Sequence, residues 1–235
     1  MAKVYLYFPF DDFKLDTAQA NIQDFLEDQD KSFKFEVIQR GRGLLGGRAL
    51  ARVGDDDLLM SCAHGDINKP SELYLCTATG TTVKTANDLA AQFAAEGLPK
   101  THQSILLLNC WGGGNSTLGT GATQSAGPGG TTGKTAPGDI VVSKNSYGQC
   151  LASVLAKAMG GLGYRSILVG GFPGTVTSSY TLGGMGFYSG TTRVLAQLDH
   201  IQWYDCRGQN TSTNAPPVGN VIPTPRRNFI GAHRG

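Results

Sequence analysis

Leu58-Leu59-Met60-Ser61-Cys62-Ala63-His64-Gly65-Asp66 opens with six residues almost without polar interruption and then turns abruptly polar and small. A strand with one wet face alternates apolar and polar residues, so an unbroken apolar run is the mark of a strand covered on both faces, as in a parallel sheet. Ser104-Ile105-Leu106-Leu107-Leu108 repeats the pattern and breaks off at Asn109-Cys110-Trp111-Gly112. Between the two runs the sequence predicts a strand near 73–77 and a helix over about 86–96, with Leu89 and Phe93 on its buried side. Thr85 is its N-cap and Gly97 its C-cap.

The same grammar extends outward. Lys3-Val4-Tyr5-Leu6-Tyr7-Phe8 is β-branched and aromatic enough for a first strand, closed by Pro9. Leu15, Ala18, Ile22, Phe25 and Leu26 recur at helical spacing, and Phe33, Phe35 and Val37 alternate as a second strand. Residues 41–54 read as a hairpin or loop. Downstream, a helix over 147–159 carries Leu151, Val154, Leu155, Ala158 and Met159, and leads into a strand at Ser166-Ile167-Leu168-Val169. Strands alternating with helices predict an α/β domain with a mainly parallel central sheet and helices on both faces. One catalytic-size domain spans 1–206, with a loop at 111–139 that holds twelve Gly or Pro in 29 residues, and a polar Pro/Asn-rich tail covers 207–235.

Composition narrows the function classes. Glycine contributes 33 of 235 residues, about twice the average share, while charged residues fall to 16%. Without a G-X-Y period this is no collagen, and 40% hydrophobic residues with a net charge of +2 are no disordered chain. That weak charge, with Arg40, Arg42, Arg48 and Arg52 as the one basic run, read as a solvated face, argues against a nucleic-acid partner. No apolar run approaches the roughly 20 residues that span a bilayer, and the start lacks the apolar region of a signal peptide, so a cytoplasmic protein without a membrane partner is expected. Five scattered cysteines form neither a disulfide framework nor a metal-binding cluster, and no metal or organic cofactor is expected.

In a doubly wound sheet the functional groups gather at the carboxyl ends of the strands. His64 and Cys110 each follow such a strand. If the strands are neighbours, imidazole and thiol meet across a cleft, the arrangement of a cysteine nucleophile with a general acid/base. Gly65, lacking a Cβ, lets a backbone N–H face the site, and with the N–H of Cys110 forms an oxyanion hole.

At these residues the sequence resembles the caspase-like superfamily of cysteine peptidases, which includes caspases, metacaspases, legumains, clostripains and gingipains. The resemblance rests on the apolar strand ending in His64-Gly65, the apolar strand ending in Cys110 with glycine shortly after, and the helix–strand unit at 147–169. His64 and Cys110 lie 46 residues apart, close to the spacing of about 50 in caspases. The resemblance implies a three-layer sandwich, a Cys110–His64 dyad, a protein or peptide substrate, and a loop after Cys110 that is cleaved or rearranged during activation. In caspases a Gln, and in metacaspases and clostripains an Asp, stands two residues before the nucleophile and reads the substrate's charge. Here Leu108 occupies that position, which points to a small or apolar residue before the scissile bond, and Leu108 and Trp111 are the candidate substrate contacts. Two other readings fit the same residues: a catalytically inert caspase-like binding or scaffold module, and a Cys-dependent acyltransferase or amidase.

The remaining reactive residues have plainer readings. Cys62, Cys76 and Cys150 are expected to be inert buried thiols, with Cys62 on the same strand face as His64. His102, His200 and His233 are expected at the surface. Gly127-Pro128-Gly129-Gly130-Thr131-Thr132-Gly133-Lys134-Thr135 imitates a phosphate-binding loop, but Pro128 stands where the first glycine is required and no strand precedes it.

Overall fold

The computed structural model describes residues 3–10, 35–40, 47–65, 71–77, 80–109, 112, 116–117, 141–142, 150–171 and 201–211. Eleven strands are described: β1 (Val4–Phe8), β2 (Phe35–Gln39), β3 (Leu58–Cys62), β4 (His64–Gly65), β5 (Glu72–Thr77), β6 (Gly80–Thr85), β7 (Ser104–Leu108), β8 (Ser116–Thr117), β9 (Val141–Val142), β10 (Leu168–Gly171) and β11 (Gln202–Tyr204). The two described helices are α1 (Ala86–Ala95) and α2 (Leu151–Gly161). Six strands form the main sheet in the order β11-β10-β7-β3-β1-β2. β2, β1, β3, β7 and β10 run parallel, and β11 is antiparallel to β10. The mainly parallel α/β sheet expected from the apolar runs is therefore present.

Every residue of β1, β3 and β7 is buried. On one face Tyr5, Tyr7, Leu59, Ile105, Leu107 and Val169 join a single core with Leu89 and Phe93 of α1 and Leu151, Leu155 and Met159 of α2. Tyr7 and Phe93 meet edge to face at 5.4 Å, a geometry that the ring quadrupoles favour. The alternate residues Leu6, Phe8, Leu58, Met60 and Leu106 lie outside that cluster yet are equally buried. This is why the runs show no period of two: neither face of these strands meets water.

Both helices are closed by local chemistry that the sequence carries. Thr85 Oγ1 accepts from the Asp88 N–H at 3.2 Å while Asp88 Oδ2 accepts from the Thr85 N–H at 2.9 Å, a reciprocal capping box. At the other end Leu98 N–H bonds Phe93 O at 3.0 Å and Gly97 N–H bonds Ala94 O at 3.1 Å, with Gly97 at φ 85°. Gly163, at φ 94°, ends α2 with the same pair of bonds, through Tyr164 to Met159 and through itself to Gly160. Only a residue without a Cβ adopts this left-handed turn at no steric cost. A buried polar network pins α1 to the end of β1: Tyr7 Oη donates to Glu96 Oε1 at 2.7 Å and accepts from Gln92 Nε2, which also donates to Pro9 O at 3.1 Å. Burial and the Glu96 carboxylate hold the Tyr7 hydroxyl well above the ordinary phenol range.

Several expectations change. The second strand runs over 35–39, α2 over 151–161 and the last parallel strand over 168–171, each two to four residues later than the spacing predicts at one end or both. β4, β5 and β6 form a separate antiparallel sheet, with His64 opposite Tyr74 and Gly65 opposite Leu73. Cys62 and His64 thus do not share one strand: β3 ends at Cys62 and the chain enters the small sheet at His64. Within and just after the expected 111–139 loop, a two-residue antiparallel ladder pairs Ser116 with Val142 and Thr117 with Val141. Residues 207–211, placed in the tail by the sequence, include bonds back to the domain: Thr211 N–H bonds Trp203 O at 2.8 Å and Ser153 Oγ donates to Gly208 O at 2.8 Å. The helix expected around Leu15–Leu26, the imitation phosphate loop, His200 and His233 lie outside the described residues.

His102 is the clearest correction: it is fully buried. Its Nδ1 lies 2.8 Å from Gly54 O and its Nε2 2.9 Å from Ser104 O, so the ring is a rivet between the loop before β3 and the start of β7. A neutral ring donates to one of these carbonyls only. Burial is the largest influence and lowers the His102 pKa, against the two carbonyls and the nearby Asp57 and Asp55, which favour the proton.

Two stability predictions result. An unfolded chain takes up the histidine proton near the ordinary value of about 6.5, whereas folded His102 takes it at lower pH, so stability is lost as pH falls through and below that value. Urea midpoints measured between pH 5 and pH 7.5 are expected to rise with pH, and the slope to flatten in His102→Gln. Separately, a Cβ on Gly160 would overlap the backbone carbonyl of Cys206. Gly160→Ala is expected to cost about 2–3 kcal/mol in urea unfolding, because neither backbone can retreat within the packed contact.

Candidate active site

The main sheet winds away from β1 in two directions, through β2 on one side and through β3, β7 and β10 on the other. The carboxyl ends of β1 and β3 therefore flank the switch point where doubly wound sheets leave a crevice. β3 and β7 are adjacent and parallel, with Cys62 level with Leu108. The Ala63 N–H donates to Leu108 O at 3.5 Å, extending the ladder by one bond. His64 and Cys110 each follow this last matched pair by two residues.

His64 is exposed and Gly65 half-buried, at the point where the chain passes from the main sheet into the small one. The antiparallel pairing puts His64 and Tyr74 side by side on one face of the small sheet. Tyr74 is 9% exposed and its hydroxyl donates to Glu72 Oε2 at 3.0 Å. Leu108 is buried at the end of β7. Cys110 and Trp111 lie outside the described residues. On either side of them, Asn109 is 2% exposed and Gly112 is buried, and Gly112 O accepts from the Ala152 N–H at the start of α2, at 2.8 Å.

Two of the cysteines expected to be inert are indeed sealed. Cys62 is 4% exposed, its thiol 3.9 Å from Met60 O, and burial pushes its pKa far up. Cys150, the residue before α2, is fully buried and its thiol is pushed up to about 11 by the same cause. The side chain of Cys76 lies outside the described residues. Cys206 is partly exposed and packs against α2 at Gly160. Among the described residues no three His, Cys, Asp or Glu side chains stand together as a metal site, and no helix is long and apolar enough to cross a membrane.

Two features beside these positions are not legible in the sequence: the burial of Asn109 and the pairing of Tyr74 with His64. Asn109 was visible only as the polar stop after an apolar run, and Tyr74 gains its place from a cross-strand register that no local pattern encodes. No family model and no curated protein matches the chain.

The thiolate is the reactive form of cysteine, and burial suppresses it. Cys62 and Cys150 are accordingly expected to stay unmodified by iodoacetamide at pH 8 in the native protein and to react once urea unfolds it, as read residue by residue by mass spectrometry.

Proposed function

We propose that the protein is a cysteine endopeptidase of caspase-like type, with Cys110 as nucleophile and His64 as general acid/base. The supporting observation is the β3–β7 pairing: two parallel neighbours, level at Cys62 and Leu108, release their chains at the same edge of the sheet two residues before His64 and Cys110. Proximity of this kind converts attack on a carbonyl into an effectively intramolecular step. In the proposed reaction the Cys110 thiolate attacks the scissile carbonyl carbon, and the oxyanion is held by the N–H groups of Gly65 and Cys110. His64 protonates the departing amine, leaving a thioester. Water, deprotonated by His64, then hydrolyses the thioester and releases the acid.

The finer architecture belongs to the same proposal. Burial of both faces of β1, β3 and β7 supports a three-layer sandwich with helices on each side. The substrate is a protein or peptide; the apolar Leu108 supports a small or apolar residue before the scissile bond, with Trp111 as a second contact. The long glycine-rich segment after Cys110 supplies the loop whose cleavage or rearrangement accompanies activation. The proposed setting is cytoplasmic.

The test is peptide hydrolysis by a fluorogenic library, with Cys110→Ala and His64→Ala beside the unmutated protein. Loss of the nucleophile is expected to lower kcat/KM by at least about a thousandfold, with the urea midpoint unchanged. Full activity in Cys110→Ala would sink the assignment. Acyl transfer without peptide hydrolysis would move it to an acyltransferase or amidase using the same dyad.

A further inference from the structure

We infer that Tyr74 is a positioning residue for the His64 imidazole and that Glu72 holds Tyr74 in place, an inference that rests on the reading of His64 as general acid/base. All three residues stand on two adjacent strands of the small sheet. In the antiparallel ladder of β4 and β5, His64 is opposite Tyr74 and Gly65 opposite Leu73. Leu73 is fully buried in the main core, so the pair Gly65 and Leu73 faces inward and the pair His64 and Tyr74 faces outward. Directly opposed residues of an antiparallel pair carry their Cβ atoms about 4.5–5.5 Å apart, within the span of two aromatic rings. Glu72, two residues before Tyr74 on β5, shares that outward face.

The three members differ in freedom. His64 is exposed, and exposed side chains ordinarily hop between rotamers. Tyr74 is buried, and its hydroxyl donates to Glu72 Oε2 at 3.0 Å, which ties the far end of a ring whose body burial already confines. Val83 of β6 stands opposite Tyr74 on its other side, so the phenol is the middle member of a cross-strand row that has His64 at one end. A ring fixed in this way is a wall for the imidazole. Packed against it, the imidazole gives up rotamers before substrate arrives instead of during the reaction. A general acid/base has to stand within hydrogen-bond reach of the proton it moves. His64 opens a strand of two residues, too short a ladder to hold an exposed side chain by itself, and Tyr74 provides the restraint from the neighbouring strand.

Ring and hydroxyl have separable parts in this role. Tyr74→Phe keeps the ring and cuts its tie to Glu72. Tyr74→Leu keeps an apolar side chain and removes the ring. Packing of the small sheet alone would tolerate either substitution, whereas the restraint on His64 requires the aromatic face.

The experiment is an NMR spectrum of the full chain with ring-labelled histidine at pH 8, His64→Ala identifying the His64 signals, read beside kcat and KM on a peptide of the fluorogenic library. The His64 ring protons are expected to be displaced from the position of a freely exposed histidine by the ring current of Tyr74, and to show a nuclear Overhauser contact with the Tyr74 ring. Tyr74→Leu is expected to return them to the free position and to lower kcat about tenfold with KM within about twofold. Tyr74→Phe is expected to keep most of the displacement and to lower kcat no more than about threefold. Protection of Cys62 and Cys150 from iodoacetamide reports that each variant is folded. Should Tyr74→Leu fail to fold, Tyr74→Val, better suited to a strand, is read in its place, and the Overhauser contact needs no variant. His64 signals at the free position in the unmutated protein, or unmoved by Tyr74→Leu, would overturn the positioning role whether or not the protein cleaves peptides. Displaced signals with kcat unchanged in Tyr74→Leu would overturn it too and leave the acid/base standing. Peptide hydrolysis that survives in His64→Ala, or that is absent from the unmutated protein, would remove the acid/base reading and this role with it.

Discussion

The candidate site depends on the register between β3 and β7. A strand with one wet face is held in register by its own hydrophobic pattern, because a slip of one residue turns every apolar side chain to water. β3 and β7 lack that protection: both faces of both strands are buried, so a slipped pairing would still bury apolar side chains. Register has to be set at the ends of the runs. At the amino end the Gln103 N–H bonds Asp55 O at 3.1 Å, and the His102 ring sits between Gly54 O and Ser104 O. At the carboxyl end the Ala63 N–H reaches Leu108 O. The polar residues that punctuate the apolar runs therefore do more than terminate strands: they hold Cys62 level with Leu108, and with them the positions at which His64 and Cys110 follow.

This division explains what could be read from the chain. The apolar runs at 58–63 and 104–108 announce doubly covered strands because apolar continuity is a local consequence of burial, and the structure contains both. The N-cap Thr85 and the stop at Gly97 are equally local, and α1 falls where they place it. Strand order is not local. Nothing in Leu58–Cys62 says that its neighbours are β1 and β7; that follows from which helices and connections fill the space between. β6 reads Gly-Thr-Thr-Val-Lys-Thr and β11 only Gln-Trp-Tyr, too polar or too short for a period of two to register. His102 misleads for a related reason. Between Thr101 and Gln103 it looks like a surface residue, yet two backbone carbonyls on different segments make its burial tolerable. Near the candidate site, the ends of the two apolar strands are legible in the sequence, whereas the cross-strand place of Tyr74 and the contact between Asn109 and Gly112 exist only in three dimensions.

The glycine excess, 33 residues in 235, has an account in the same terms where the structure describes it. Gly97 and Gly163 end helices in a left-handed turn. Gly160 and Gly170 are different: added carbons would run into the Cys206 backbone and into Trp203 and Ile201. Here the missing side chain lets the antiparallel edge, β11 and the turn after it, lie flush on α2 and β10. Gly112 leaves room in a similar way, since a Cβ there would run into the Asn109 carboxamide. The low share of charged residues has the matching cause, because strands buried on both faces offer no wet positions for charge. A sheet sealed on both sides confines chemistry to its rim, where strands stop and polar residues return. In this molecule the groups that set the register of β3 and β7 stand at the ends of those strands, Asp55, His102 and Gln103 at the amino end and Ala63 at the carboxyl end. Glycine is needed where such elements meet at backbone distance, as at Gly160, where α2 and the Cys206 carbonyl approach more closely than a Cβ allows.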